Sequence, residues 1–283
     1  MMFRKGFTLV EMVVVLAILG ILVSIILPGV QYVRESSRQL ECQNHLKQIA
    51  IAMHSHHSAN GIIPSGGWGA NWVGEASKGF GPKQPGGWIY SSLPYMEEQS
   101  LFQMSTGSTS LLQKINAAKM LQSSVPTFLC PTRRTGGVSP YLGSSPLKNS
   151  APVETAAKND FAINQAVGGL KSEWTLLDVR DGLTQTILYG EKLLRGSKPS
   201  GAGDEDAMLV GMDDDNHRST THELGRDLSA SGSTTGLGFG SVHARGCNFA
   251  FFDGSTKSLS FDIDATTLQR LGDPIDGKTI EIP

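Results

Sequence analysis

Residues 7–27 read FTLVEMVVVLAILGILVSIIL, 21 residues carrying a single charge, Glu11. As a helix this stretch rises about 30 Å, the thickness of a bilayer's hydrocarbon core. Arg4 and Lys5 precede it. Basic residues before an apolar span hold that end in the cytoplasm, which places everything after Leu27 outside. A cleaved secretory signal fits poorly. Its apolar region is shorter, about 7–15 residues, and ends in small residues, whereas Ile26-Leu27-Pro28 closes this one. A plain anchor explains the length but not the acid, because a carboxylate at membrane depth costs about 2.5–3.5 kcal/mol.

Beyond the span, Pro28-Gly29 marks an expected kink. The helical pattern then resumes. Val30, Val33, Cys42, Leu46, Ile49 and Met53 recur at spacings that define one apolar stripe, while Arg34, Glu35, Arg38, Gln39, Gln43 and Lys47 occupy the polar face. The helix is expected to end near Ser58, before Asn60-Gly61. This divides the chain into a leader (1–6), a membrane segment (7–29), an amphipathic continuation (30–58) and a globular head (59–283). The expected fold class is α+β: one long N-terminal helix packed on a mostly antiparallel β head.

The whole chain has 283 residues, 24 Lys and Arg against 26 Asp and Glu, and a net charge of −2. That balance argues against a protein that grips nucleic acid by bulk charge. The head opens with Gly- and Trp-rich loops around Trp68, Trp72 and Trp88, read as minor core under a long loop rather than a sugar-stacking surface. Leu111–Gln122 has helical spacing, and Val125–Pro131 reads as a short extended segment. Thr186–Tyr189 reads as a strand. Asn248–Phe252 and Ser255–Phe261 flank Asp253-Gly254, a hairpin signal. Asp264 is placed to cap a short helix, Ala265–Leu271, which Gly272 ends.

Three cysteines are present. Cys42 on the helix stripe and Cys130 are a plausible disulfide in an oxidising compartment. The bridge would fasten helix to head and contribute about 4–5 kcal/mol in the chain-entropy account; two buried free thiols are the alternative. Cys247 reads as a lone buried thiol. His45, His54, His56 and His57 lack a metal-binding motif and read as a solvated helix end. No Gly-x-Ser-x-Gly elbow or P-loop occurs, and no catalytic residues are assigned. His243 near Asp253 reads as a structural pair rather than an acid–base couple. The expectation is that the protein is not an enzyme.

The run Lys5-Gly6-Phe7-Thr8-Leu9-Val10-Glu11 resembles the cleavage and methylation signal of type IV pilins and type II secretion pseudopilins. The resemblance implies that prepilin peptidase cuts between Gly6 and Phe7 and methylates the new amine of Phe7. It implies that Glu11 neutralises the amine of a neighbouring subunit during fibre assembly. Partners would be that peptidase, other pilin or pseudopilin subunits and the inner membrane, with the head in the periplasm or beyond. Major pseudopilins often hold calcium in a head loop, and Asp213 and Asp215 are candidate ligands here; no other cofactor is called for. The blocks ECQNHLKQIAIAMHSHH, GGWIYSSLPYMEEQSLF, VPTFLCP, LLDVRDGLTQTILYGE, MDDDNHRST and VHARGCNFAFFDGSTKSL resemble the DUF1559 family, abundant in planctomycetes. That family joins a pilin-like N-terminus to a head of open role. The usual His-Pro-Gly-Gly reads His243-Ala244-Arg245-Gly246 here. A pilus or pseudopilus subunit is the function implied; the alternative is an anchored ligand- or glycan-binding protein that forms no fibre.

Overall fold

The computed structural model describes residues 8–143, 145–194, 203–227 and 238–278. Its first element, α1, runs from Leu9 to Asn60, 52 residues and thus about 78 Å long. Thr8 starts it with a capping box: its hydroxyl accepts the N–H of Glu11, whose carboxylate accepts the N–H of Thr8. The helix passes through Pro28 without ending and stops where Gly61 takes the left-handed conformation (φ 77°) and donates its N–H to the His57 carbonyl. A residue with a Cβ resists that conformation, so the glycine ends the helix. Every residue from Thr8 to Arg34 is exposed.

The stripe on α1 enters the head later than its periodicity suggests. Cys42, Leu46, Ile49, Ala50, Ala52, Met53 and His56 are buried, but Val30 and Val33 are 47% and 65% exposed.

The head is built on a five-stranded sheet in the order β5-β3-β4-β8-β9. β3 is Phe161–Asn164, β4 Ile187–Glu191, β5 His217–Arg218, β8 Cys247–Phe251 and β9 Thr256–Leu259. All neighbours are antiparallel except β3 and β5. Asp253-Gly254 closes the β8–β9 hairpin, with Gly254 at φ 79°. Two short pairs flank the sheet: β1 (Val138–Pro140) with β2 (Thr155–Ala157), and β6 (Gly225–Arg226) with β7 (Gly240–Ser241). Among the described residues the head also carries four short α-helices: α2 (Trp88–Ser92), α3 (Gln99–Gln103), α4 (Ser110–Leu121) and α5 (Ala265–Gly272). Asp264 caps α5 through the N–H of Thr267. The segment read as extended, Val125–Pro131, instead turns through a 3-10 helix at Pro126–Phe128, because Pro126 sits at its first position, where its fixed φ suits a helical start.

Two cores lie on opposite faces of the sheet. On one face, Leu46, Ile49 and Met53 of α1 pack with Trp88, Tyr90, Phe128, Phe161, Tyr189 and Phe252. On the other, Phe239, Phe249 and Phe251 pack with Leu268 and Leu271 of α5. β8 alternates between them, as a strand must. β4 breaks the alternation: Leu188 and Tyr189 both join the first core while Ile187 joins the second. A register shift between Ile187 and Tyr189 accounts for this, since a bulge adds a residue to one side of the ladder.

Candidate functional site

The sequence-derived processing residues Gly6 and Phe7 lie outside the described residues. Glu11 is one helical turn into α1, and its carboxylate accepts both the backbone N–H and the hydroxyl of Thr8 at 2.8 Å. The apolar half of α1 presents Leu9 to Leu27 outward with nothing of the head against it. Its composition and length suit a membrane span.

The seam between α1 and the head holds the densest chemistry. Cys42 lies 2.9 Å from Cys130, sulfur to sulfur, and both are buried free thiols. Cys130 follows the 3-10 turn and donates its backbone N–H to Asp160. The imidazole of His243 approaches from the turn after β7: its Nε2 is 3.6 Å from the Cys130 sulfur and 3.3 Å from Glu191 Oε1. Its Nδ1 donates to Glu35 of α1 at 2.8 Å. Glu191, the last residue of β4, accepts the N–H of Asn248 with its other oxygen, while Oε1 has no hydrogen-bond partner although fully buried. Burial opposes a charged His243, but Cys130 and Glu191 beside it prevail and its pKa is pushed up to about 11. The hydrogen bond from Cys42 pulls the Cys130 thiol down to about 6, and the same contact and burial push Cys42 up.

Several sequence expectations change here. Glu35, assigned to the solvated face, engages Thr132 as well as His243. His243 meets Glu35 and Glu191, not Asp253, which closes its own turn through Ser255. The histidines at the end of α1 are not a solvated end: His56 is buried against Phe80 and Tyr95 and bonds the Ile62 carbonyl. His45 bonds the Leu129 carbonyl. Cys247 is buried in β8 with its sulfur toward the Glu191 carbonyl.

Beside this seam runs a buried chain of alternating charge: Asp227, Arg133, Asp160, Arg134, Asp204 and Lys192. Successive contacts measure 2.8, 3.1, 2.6, 2.9 and 3.1 Å. Burial alone would raise the pKa of Asp160, but Arg133 and Arg134 hold it below the carboxylate range. The candidate calcium ligands Asp213 and Asp215 do converge, joined by Asp206. However, Asp213 Oδ1 already accepts the N–H groups of Asp215 and Asn216, and Asp215 accepts the N–H of Asp206. Burial and the charges of Asp215 and Asp206 push the Asp213 carboxyl up. Trp88 is core, its ring tilted by 35° against that of Tyr189. Trp68 and Trp72 are half-buried edge to face, with Lys171 and Lys148 over their rings.

Comparison with known proteins returns two families. The prokaryotic N-terminal methylation motif matches residues 1–27. The family described as "Protein of unknown function (DUF1559)" matches residues 31–266. No curated protein and no solved structure matches the chain. A pilin-type processed N-terminus thus continues into a head that accounts for most of the sequence, and the chain belongs to the DUF1559 family.

Proposed function

We propose that this protein is a structural subunit of a type IV pilus-like or type II secretion pseudopilus-like fibre. Prepilin peptidase cuts between Gly6 and Phe7, and the subunit waits in the inner membrane with its head in the periplasm or outside the cell. The observation that carries this reading is the methylation motif over residues 1–27 at the start of a 52-residue helix whose first half is wholly exposed. Such a face needs lipid before assembly and other subunits' helices after it. Glu11 supports the same reading. Its carboxylate faces the first turn and is held by Thr8, where it can transfer to the cationic amine of a neighbour, each charge supplying the other's partner.

The head is tied to the helix by hydrogen bonds from Lys47 to the Gly254 carbonyl, from Gln43 to Asn248 and between His45 and the Leu129 carbonyl. That coupling suits a subunit whose head must follow its helix into a fibre. No reaction is assigned to the head. The decisive experiment is mass spectrometry of the N-terminus of protein taken from native membranes. A chain beginning at N-methyl-Phe7 supports the fibre reading. An intact leader, or a chain beginning beyond Pro28, refutes it.

A further inference from the structure

We propose that Cys42, Cys130, His243 and Glu191 bind one zinc-type divalent cation in a closed tetrahedral site that clasps the long helix to the head. Two sulfurs, an imidazole nitrogen and a carboxylate oxygen converge with all ligand atoms within 4.8 Å of one another, and all four residues are buried. They come from four separate places in the fold: the middle of α1, the turn after the 3-10 helix, the end of β4 and the loop after β7.

Two of three ligand–ligand edges already match a tetrahedral coordination sphere. Zinc binds sulfur at about 2.3 Å and nitrogen or oxygen at about 2.0–2.1 Å, so tetrahedral geometry requires edges of about 3.3 Å for N···O and about 3.5 Å for S···N. His243 Nε2 to Glu191 Oε1 is 3.3 Å, and Cys130 Sγ to His243 Nε2 is 3.6 Å. The sulfur–sulfur edge, 2.9 Å, must widen by about 0.9 Å for zinc; rotating either cysteine about its own side-chain torsion supplies that.

Two further observations point to a ligand. Glu191 Oε1 is fully buried and makes no hydrogen bond of good geometry, its 3.3 Å contact with His243 Nε2 being an ion pair alone, so a carboxylate oxygen faces the centre with acceptor capacity unused. His243 donates Nδ1–H to the Glu35 carboxylate, which leaves Nε2 aimed at the same centre and available to a cation once the cation displaces its proton. A carboxylate on the far nitrogen is what fixes a metal-bound imidazole in the right tautomer. Binding displaces two protons to solvent, one from the Cys42 thiol and one from His243 Nε2, and forms two sulfur–metal bonds, one nitrogen–metal bond and one oxygen–metal bond. No oxidant is involved. Two thiolates, one carboxylate and a dication leave one net negative charge, and the field of Arg133 favours both thiolates. A Cys42–Cys130 disulfide would instead use two of the four groups and leave Glu191 Oε1 with its His243 contact alone. With four protein ligands the site has no open position, so its role is structural.

The test uses the full chain extracted from membranes in detergent, without reductant or chelator. Elemental analysis is expected to give one zinc per chain, with Cys42 and Cys130 reduced by mass and resistant to alkylation until a strong chelator is added. Exchange with cobalt(II) is expected to give the visible bands of a tetrahedral, thiolate-bound ion. Glu35→Gln, which touches no ligand atom and among the four ligand residues meets only the far nitrogen of the His243 ring, is expected to weaken zinc about 10–100-fold in chelator competition, a readout that survives if Cys130→Ser fails to fold. A metal-free chain, whether with a Cys42–Cys130 disulfide or with two freely alkylated thiols, overturns the proposal. So does zinc whose affinity is unchanged in Glu35→Gln and Cys130→Ser.

Discussion

Replacing Asp160 by Asn removes the central anion of the buried charge chain without changing its shape. Arg133 and Arg134 both lean on this one carboxylate, at 3.1 and 2.6 Å. The Asp160 side chain is 0% exposed, and the two arginines are 6% and 11% exposed. With Asp160 intact, three cations face three anions; with Asn, three face two, and the surplus guanidinium charge is shut away from water. Breaking a buried pair in this way costs about 3–5 kcal/mol, because the remaining charge loses its compensation while staying desolvated. An exposed pair costs about 0–1 kcal/mol. Arg38→Ala is the internal control, since Arg38 meets Glu35 at 3.8 Å with both side chains over one-third exposed. For a unit of this size a loss of 1 kcal/mol lowers Tm by about 2–4 °C, so Asp160→Asn should lower it by roughly 6–20 °C and Arg38→Ala by less than about 4 °C. Urea titration of the full chain in detergent, followed by circular dichroism, gives the same comparison as a free energy. Added salt should leave the Asp160 loss intact, since ions screen pairs in water and not pairs sealed from it. A loss below 1 kcal/mol, or one that shrinks in molar salt, would refute the buried-network argument.

Other consequences can be checked the same way. Leu46→Ala should destabilise the chain by about 2–5 kcal/mol in urea titration, and Val33→Ala by less than about 0.5 kcal/mol, because the helix stripe is buried at Leu46 and exposed at Val33. Gly74→Ala should cost about 1–3 kcal/mol or more, since its Cβ would stand 2.3 Å from the buried Tyr90 ring; unchanged stability would show that the ring can move aside. His56 is held neutral by burial, its pKa lowered to about 4 despite the bond to the Ile62 carbonyl and with His57 adding in the same direction. Stability is therefore full above the ordinary value near 6.5 and falls as pH drops from there toward 4, by roughly 3 kcal/mol at 1.36 kcal/mol per unit; His56→Phe should flatten that part of the urea-midpoint profile. Glu11→Gln should leave N-terminal cleavage intact by mass spectrometry while abolishing sheared fibres; normal fibre yield would remove Glu11 from assembly.

The membrane half of α1 was legible because it needs no partner within the chain: 21 nearly uncharged residues specify a span by length and hydropathy alone. The end of α1 at Gly61, the Asp-Gly hairpin and the Asp264 cap were equally local, each decided by a residue's own backbone preference or by a hydrogen bond a few positions away. Where sequence periodicity went astray, the answer lay in a neighbour. Val30 and Val33 continue the stripe, but the head does not reach them. Val125–Pro131 looked extended because its apolar residues are contiguous, and Pro126 turned it. Glu35 looked solvated although it sits two helical turns before Cys42, on the same face; that spacing was the available signal. Nothing in the order of residues announced that Glu191, closing an apolar strand, would meet His243 and two cysteines. Those four are separated by as many as 201 positions, and only the packing of α1 across the sheet brings them within 4.8 Å. Local preferences determined the anchor, the helix ends and the turns, whereas the charged seam was decided by tertiary structure, because groups that desolvate together acquire their chemistry from one another.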